Sequence, residues 1–211
     1  MRATKASAAS ESNRMFDSDF LEFFSRIPPW QPPAVYIPLI AYASYVGLFD
    51  LAIGFGTFAA LAFGGILFWT LMEYWLHRVL FHWDPKGPVG KKFIWYLHGV
   101  HHDWPNDKLR LVFPPTVSLP LAALFWAFFT ATVGDVHRWP TMVGLMIGYL
   151  AYDMTHYWVH HFAPKSRFGK FLRRYHLEHH FKNPYSGYGV SSPLWDYVFG
   201  TTPDGTKRAH H

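Results

Sequence analysis

The chain has 211 residues, enough for one domain; half are hydrophobic, 20% are aromatic and only 16% are charged. A soluble domain carries roughly a quarter charged residues, so this balance points to a membrane protein. Cysteine is absent, which excludes disulfides, thiolate metal sites and cysteine nucleophiles. The net charge of +5 comes without a basic face interleaved with stacking aromatics, which argues against a nucleic-acid partner.

Residues 1–14, "MRATKASAASESNR", are small and polar and are expected to be disordered. No secretory signal peptide is expected, because no continuous apolar stretch follows Arg2 and Lys5. In 15–33, Phe16, Phe20, Phe24 and Ile27 recur at three- or four-residue spacing among Asp17, Asp19 and Glu22, the pattern of a short amphipathic helix on a membrane surface, which any docked amphipathic helix would share. Pro28, Pro29, Pro32 and Pro33 end it.

Four apolar segments follow, at 34–51, 54–76, 116–134 and 141–160. Each is near the ~20 residues that cross a hydrocarbon core, and a chain this small has no bulk to bury four such helices in a soluble core. The predicted fold is all-α and integral to the membrane, with four transmembrane helices in two hairpins, closed tightly around Asp50 and by "GDVHRWP". Residues 34–202 form the membrane domain and 203–211 a tail. With four spans, both termini and the 78–115 loop share one side. Of the 19 lysines and arginines only Arg138 falls on the other, so that side is read as cytoplasmic. A bacterial inner membrane and an endoplasmic reticulum would give the same pattern.

Fourteen histidines occur. Eleven fall into four groups, each at the cytoplasmic end of a span or in a cytoplasmic segment: His77 and His82; His98, His101 and His102; His156, His160 and His161; and His176, His179 and His180. Helical residues at i, i+3 and i+4 share a face, so the second and fourth groups each converge. His156 and His160 also align, whereas His161 turns away as a bystander or a support behind the ligands. His77 and His82, five apart, do not align on a regular helix; a break near Pro85 would let His82 fold back. The ten remaining imidazoles suffice for two metal ions with about five each, in a helical cap on the cytoplasmic side. Imidazole-only sites suit Fe, Zn, Cu or Ni. Carboxylates that would fix ring orientation are Glu73 and Asp153, since acids within spans are costly without a purpose, followed by Asp84, Asp103, Glu178 and Asp196. His137 lies on the opposite side, and His210 and His211 belong to the tail.

The segments "EYWLHRVLFH", "LHGVHHDWPNDKLRLVFPP", "YDMTHYWVHH", "YHLEHHFK" and "GYGVSSPLWDYVFGT" together resemble the fatty acid 2-hydroxylases of the integral-membrane fatty acid hydroxylase and sterol desaturase superfamily. The resemblance spans about residues 30–202. It implies a non-haem di-iron site on the ten histidines named, with Zn able to occupy the same positions. The implied reaction is O2-dependent hydroxylation at the carbon next to the acyl carboxyl of a fatty acid or ceramide. Many members carry a fused cytochrome b5 domain with a His-Pro-Gly-Gly motif. This sequence lacks the motif, so electrons are expected from a separate carrier of cytochrome b5 or ferredoxin type.

An acyl C–H bond offers no acidic proton, so a redox metal must activate O2 while the protein ligates, orients and excludes water. Trp75, Trp95, Tyr96, Phe113, Tyr157 and Trp158 are candidates to line an acyl cleft, and Arg110, Arg173 and Arg174 to hold an anionic head. Competing readings are a sterol or carotenoid hydroxylase or desaturase with the same site, a zinc-dependent membrane hydrolase, and a metal transporter or metal-binding protein. Transport is disfavoured because the ligands cluster at one end of the spans rather than at mid-membrane.

Overall fold

In an apolar medium a chain satisfies its backbone polar groups within helices or closed barrels, and every regular element among the described residues is a helix. The computed structural model describes residue 7 and residues 9–203. The expectations for residues 1–6 and 8, and for the tail beyond residue 203 with His210 and His211, fall outside the described residues.

The first helix, α1 (Asp19–Ser25), is short. Helix α2 (Gln31–Tyr45) begins on Pro32 and Pro33, which suit a first turn whose N–H groups have no helical acceptor, and ends in a π-helical turn, Val46–Asp50. Helix α3 (Phe55–Trp75) runs into a second π-helical turn, Leu76–Phe81. A continuous stretch then comprises α4 (Pro88–Ile94), a third π-helical turn (Trp95–Gly99) and α5 (Val100–Asp103). The last three are α6 (Pro115–His161), α7 (Arg167–Phe181) and α8 (Leu194–Phe199).

Three helical stretches are long and apolar enough to cross a membrane: Gln31–Asp50, Phe55–Phe81 and Pro115–His161. Only 28%, 17% and 11% of their most apolar windows are buried inside the protein. So much outward apolar surface is untenable in water, and the chain is an integral membrane protein.

Four separate segments were expected, and the difference lies in α6. Its 47 residues would span about 70 Å if straight. Gly134 interrupts it with φ 82° and ψ 172°, a left-handed region that glycine adopts without a Cβ clash. Beyond this residue the chain folds back on itself. The rings of Trp126 and Trp139 meet at 4.7 Å, and the Arg138 guanidinium lies 4.4 Å from the Trp126 ring centre. On a straight helix residues this far apart would be separated by about 20 Å. The predicted connection "GDVHRWP" is therefore a single-residue reversal, and residues 135–140 are helical.

Both arms of α6 pack on α3: Phe68 meets Phe125, Phe128 and Phe129, while Trp69 meets Tyr149 and Tyr152. Backbone approach is closest where Gly65 faces Thr141 and Gly144 faces Ala62; a Cβ on Gly144 would overlap the Ala62 carbonyl. Gly144→Ala is expected to destabilise by about 1–3 kcal/mol through overpacking. Gly56→Ala, where a Cβ meets nothing within 4 Å, is expected to leave the thermal midpoint in detergent unchanged or slightly raised.

Within the segment expected to be disordered through residue 14, Ser12 is docked. Its backbone N–H and hydroxyl donate to Asp107 Oδ2 at 2.8 and 2.6 Å. The partner is 95 residues away in the chain, so local composition carries no trace of it.

Candidate metal centre

The ten imidazoles meet at the ends of α3 and α6 in two sets of five. One comprises His77, His82, His98, His102 and His179; the other comprises His101, His156, His160, His176 and His180. Within each set the facing nitrogens all lie within 4.8 Å of one another. In the first, Nε2···Nε2 separations are 3.1 Å for His77–His98, 3.2 Å for His77–His82, 3.1 Å for His82–His179 and 2.9 Å for His98–His102. In the second, they are 2.9 Å for His101–His156, 3.0 Å for His101–His180, 2.9 Å for His160–His176 and 3.1 Å for His176–His180. Nitrogens held at about 2.0–2.1 Å from one ion lie roughly 2.9–3.4 Å apart, whether at right-angled or tetrahedral disposition. The donor type, number and spacing thus fit two cations.

The sets are interleaved in a way that spacing alone had not separated. His98, His101 and His102, expected to converge from one helix face, divide between the two sets, and so do His176, His179 and His180. His98 and His102 serve one set while His101 serves the other, and His176 and His180 part from His179. Residues at i and i+4 are about 40° apart on a helix, whereas the i+3 residue lies about 100° from its i+4 neighbour. Each HxxHH motif therefore reaches both sets.

His82 joins by a route other than the predicted break at Pro85. The π-helical turn Leu76–Phe81 widens the helix by one residue, and the His82 N–H donates to the His77 carbonyl at 3.2 Å. That register brings positions five apart together.

Burial, followed by repulsion among neighbouring imidazoles, pushes protonation of the cap histidines below the usual range. His82 is lowered to about 2, and His98, His101, His102, His176 and His180 lie well below 6.5. Burial also lowers His179, to about 4, against an opposing hydrogen bond to the Ser186 carbonyl. These rings are neutral at pH 7, with lone pairs available to a cation.

Two carbonyls of one loop hold rings from behind. His77 Nδ1 lies 2.5 Å from the Tyr188 carbonyl and His179 Nδ1 lies 2.8 Å from that of Ser186. Donation from Nδ1 leaves Nε2 as the electron-pair donor. The loop is itself clamped by two buried carboxylates. Asp196 accepts from the N–H groups of Tyr188 and Gly189 at 2.9 and 2.7 Å. Glu73 accepts from those of Val190 and Ser191 at 2.6 and 2.8 Å, and from the Ser191 hydroxyl.

The sequence profile of the fatty acid hydroxylases matches residues 62–201. A dihydroceramide fatty acyl 2-hydroxylase of Arabidopsis thaliana is 40% identical over 199 residues, covering 94% of this chain and 83% of that one. The fatty acid 2-hydroxylase of Rattus norvegicus is 34% identical over 210 residues, covering 89% of this chain and 56% of its own. A solved structure described as full-length scs7p, with only the hydroxylase domain visible, superposes with a TM-score of 0.82 at 38% identity, covering 88% of this chain and 71% of that one. The chain belongs to the fatty acid hydroxylase family.

In this hydroxylase-family chain the other predicted supports fall differently. Glu73 touches no imidazole and acts on the loop behind His77. Asp153 likewise meets no ring: it accepts from the Phe113 N–H at 3.1 Å and the Tyr149 hydroxyl at 3.4 Å, tying "RLVFPP" to α6. His161 belongs to neither set; its ring packs against Tyr157. Asp103 accepts from the Trp95 indole at 2.8 Å, Glu178 pairs with Lys182, and Asp84 is exposed.

Arg110 is corrected as a head-group ligand. Its buried guanidinium is already engaged by Glu22, by the Ser12 hydroxyl at 2.5 Å and by the Ser25 hydroxyl at 2.7 Å. This pairing fixes α1 to the cap and had no signal in the sequence. Arg110→Ala leaves Glu22 and Asp107 without their buried cation and is expected to destabilise by about 3–5 kcal/mol, read in thermal or denaturant unfolding. Burial alone would raise the Glu22 carboxyl, but hydrogen bonds from Arg26 and the N–H groups of Met15 and Phe16, with the Arg110 charge, hold it at about 2 rather than 4.5. Its stabilising contribution is therefore complete above about 4.5 and is lost as pH falls towards 2.

Two cavities lie near the site. A small apolar one within the helical bundle, about 30 Å³, is lined by Tyr36, Trp69, Leu145 and Tyr149 among others. The second, about 320 Å³, reaches His98, His101 and His156 and extends beneath α1 to Phe16 and Phe24. Phe81, Phe113 and Tyr152 border both. Of the aromatics proposed for an acyl cleft, Tyr96 and Phe113 line these cavities. Trp95 turns to Asp103 instead, Trp75 packs on Phe199 and Tyr157 packs on the Ile27–Leu111–Val112 cluster.

Proposed function

We propose that the protein hydroxylates the carbon next to the carbonyl of a fatty acyl chain, carried as a free acid or in a ceramide, using O2 and two iron ions held by the ten histidines. The observation that carries this reading is the pair of five-nitrogen sets beside an apolar cavity. The names of the relatives, dihydroceramide fatty acyl 2-hydroxylase and fatty acid 2-hydroxylase, support the substrate class. When bound, the irons would supply the redox chemistry that activates O2. The C–H becomes C–OH, the second oxygen atom leaves as water, and two electrons and two protons are consumed.

The chain's own part is placement. An acyl group in the cavity of about 320 Å³ beneath α1, bordered by Phe81, Phe113 and Tyr152, would bring its carbon next to the carbonyl near His98, His101 and His156. The surrounding apolar side chains exclude bulk water. We also propose four crossings in two hairpins, with each arm of α6 crossing once, and a cytoplasmic metal site supplied by a cytochrome b5 or ferredoxin type carrier. The distribution of basic residues supports this orientation.

Expression in a host without 2-hydroxy lipids, followed by lipid mass analysis under ¹⁸O2, tests the reading. One labelled oxygen at the 2-position of fatty acids or ceramides is expected. A changed sterol or carotenoid pool, or lipid cleavage independent of O2, would overturn it.

A further inference from the structure

Helix α7 presents two chemically opposite sides. One carries His176, His179 and His180 and donates nitrogens to both sets. These rings face those at the ends of the membrane helices, with centroid distances of 4.6 Å for His77–His179 and 4.8 Å for His160–His176. The metal sets thus lie between α7 and the ends of α3 and α6, and the far side of α7 points away from the bundle.

On that far side Arg167, Lys170 and Arg174 follow at three- and four-residue spacing and are exposed; Arg174 lines neither cavity at the site and is corrected as a head-group ligand. Lys165 stands before them and Lys182 after. Among the described residues, the side chains of Lys165, Arg167, Lys170 and Arg174 have no hydrogen-bond or ion-pair partner, and the one acid on α7, Glu178, is taken by Lys182 at 2.9 Å. Phe168 and Phe181, 64% and 59% exposed, flank the basic stripe. Arginine and aromatic residues without internal partners are the composition of a recognition surface.

The proposed oxygenation consumes two electrons per turnover, and a chain without cysteine holds no dithiol to supply them. From the outer surface of α7 to the ligands on its inner side is one helix diameter, about 10–12 Å. We propose that the outer face of α7 is the docking surface for an acidic one-electron carrier protein. Two reduced carriers, each oxidised by one electron there in succession, would supply the two electrons that the reaction consumes once the ten histidines hold their metal ions. The proposal rests on the oxygenase reading. A lipid headgroup layer would match the charge, but the face is turned away from the membrane helices.

The test uses the metal-loaded protein in nanodiscs, a labelled acidic [2Fe–2S] ferredoxin as probe, and the double variant K170E/R174E. Wild-type binding is expected to weaken at least tenfold between about 20 and 200 mM salt, as charge pairing at an exposed surface requires. The variant is expected to bind at least tenfold more weakly at low salt and to oxidise the carrier correspondingly slowly. Its metal content and its reduction by a small uncharged mediator should be unchanged. Equal carrier binding by variant and wild type would overturn the proposal, as would equal losses with carrier and mediator. Loss of binding to phosphatidylserine vesicles with carrier binding intact would assign the face to lipid instead. If the wild type hydroxylates no lipid with any reductant, the oxygenase reading fails, while carrier binding still decides the docking face.

Discussion

His176→Ala is expected to remove about one metal ion per chain and to lower hydroxylation by at least roughly a hundredfold. Disturbing a partner behind a ligand already costs 10–100-fold in affinity or activity, and this change deletes the ligand itself. His176 is fully buried, with its Nε2 2.9 Å from that of His160 and 3.1 Å from that of His180. Alanine therefore leaves a gap in the centre of one set that no other donor fills. Metal quantification after anaerobic purification, alongside helical circular dichroism, separates loss of the ion from loss of the fold. His161→Ala is the matched control: it is adjacent in chain to His160 but outside both sets, so metal content should hold and activity should stay within about threefold. Equal damage from the two changes would remove the basis for treating the ten rings as a distinct group.

Asp196→Asn is expected to weaken metal affinity by about 10–100-fold while leaving every histidine in place. The buried carboxylate accepts from Tyr188 N–H, Gly189 N–H and the Thr201 hydroxyl, the last at 2.7 Å. An amide presents its NH2 to one of these donors, leaving a buried conflict worth about 1–3 kcal/mol. The loop then relaxes, and with it the Tyr188 and Ser186 carbonyls that orient His77 and His179. Both rings belong to the same set, so competition with a chelator should show one ion leaving early and the other retained. Simultaneous loss of both would mean that Asp196 supports the cap as a whole rather than this loop.

The helical segments and the ten imidazoles were legible because their signals are local: apolar runs of membrane length and histidines at helical spacing. What escaped depended on contacts remote in sequence or on small backbone departures. His77 and His82 looked misaligned because a π-helical turn leaves no mark in residue spacing. Asp153 and Glu73 were singled out for lying in apolar segments, yet both clamp backbone rather than rings. Asp196 was named as a supporting acid alongside Asp84, Asp103 and Glu178, and only the fold, which buries it under the loop, sets it apart from them. Ser12, in a stretch with no hydrophobic residue larger than alanine after Met1, is pinned by Asp107 and Arg110, which no local pattern announces. The reversal within α6 was expected across seven residues, whereas Gly134 achieves it alone because its positive φ is inaccessible to most side chains.

The interleaving of the ligands bears on how the protein is made. Each set draws nitrogens from α7 as well as from residues far upstream, so neither can close while the nascent chain is still short of His179 or His180. Before α7 is made, one set has four of its five imidazoles and the other three, so both complete sites, and whatever depends on the last donors, come into being only once the chain has passed His180.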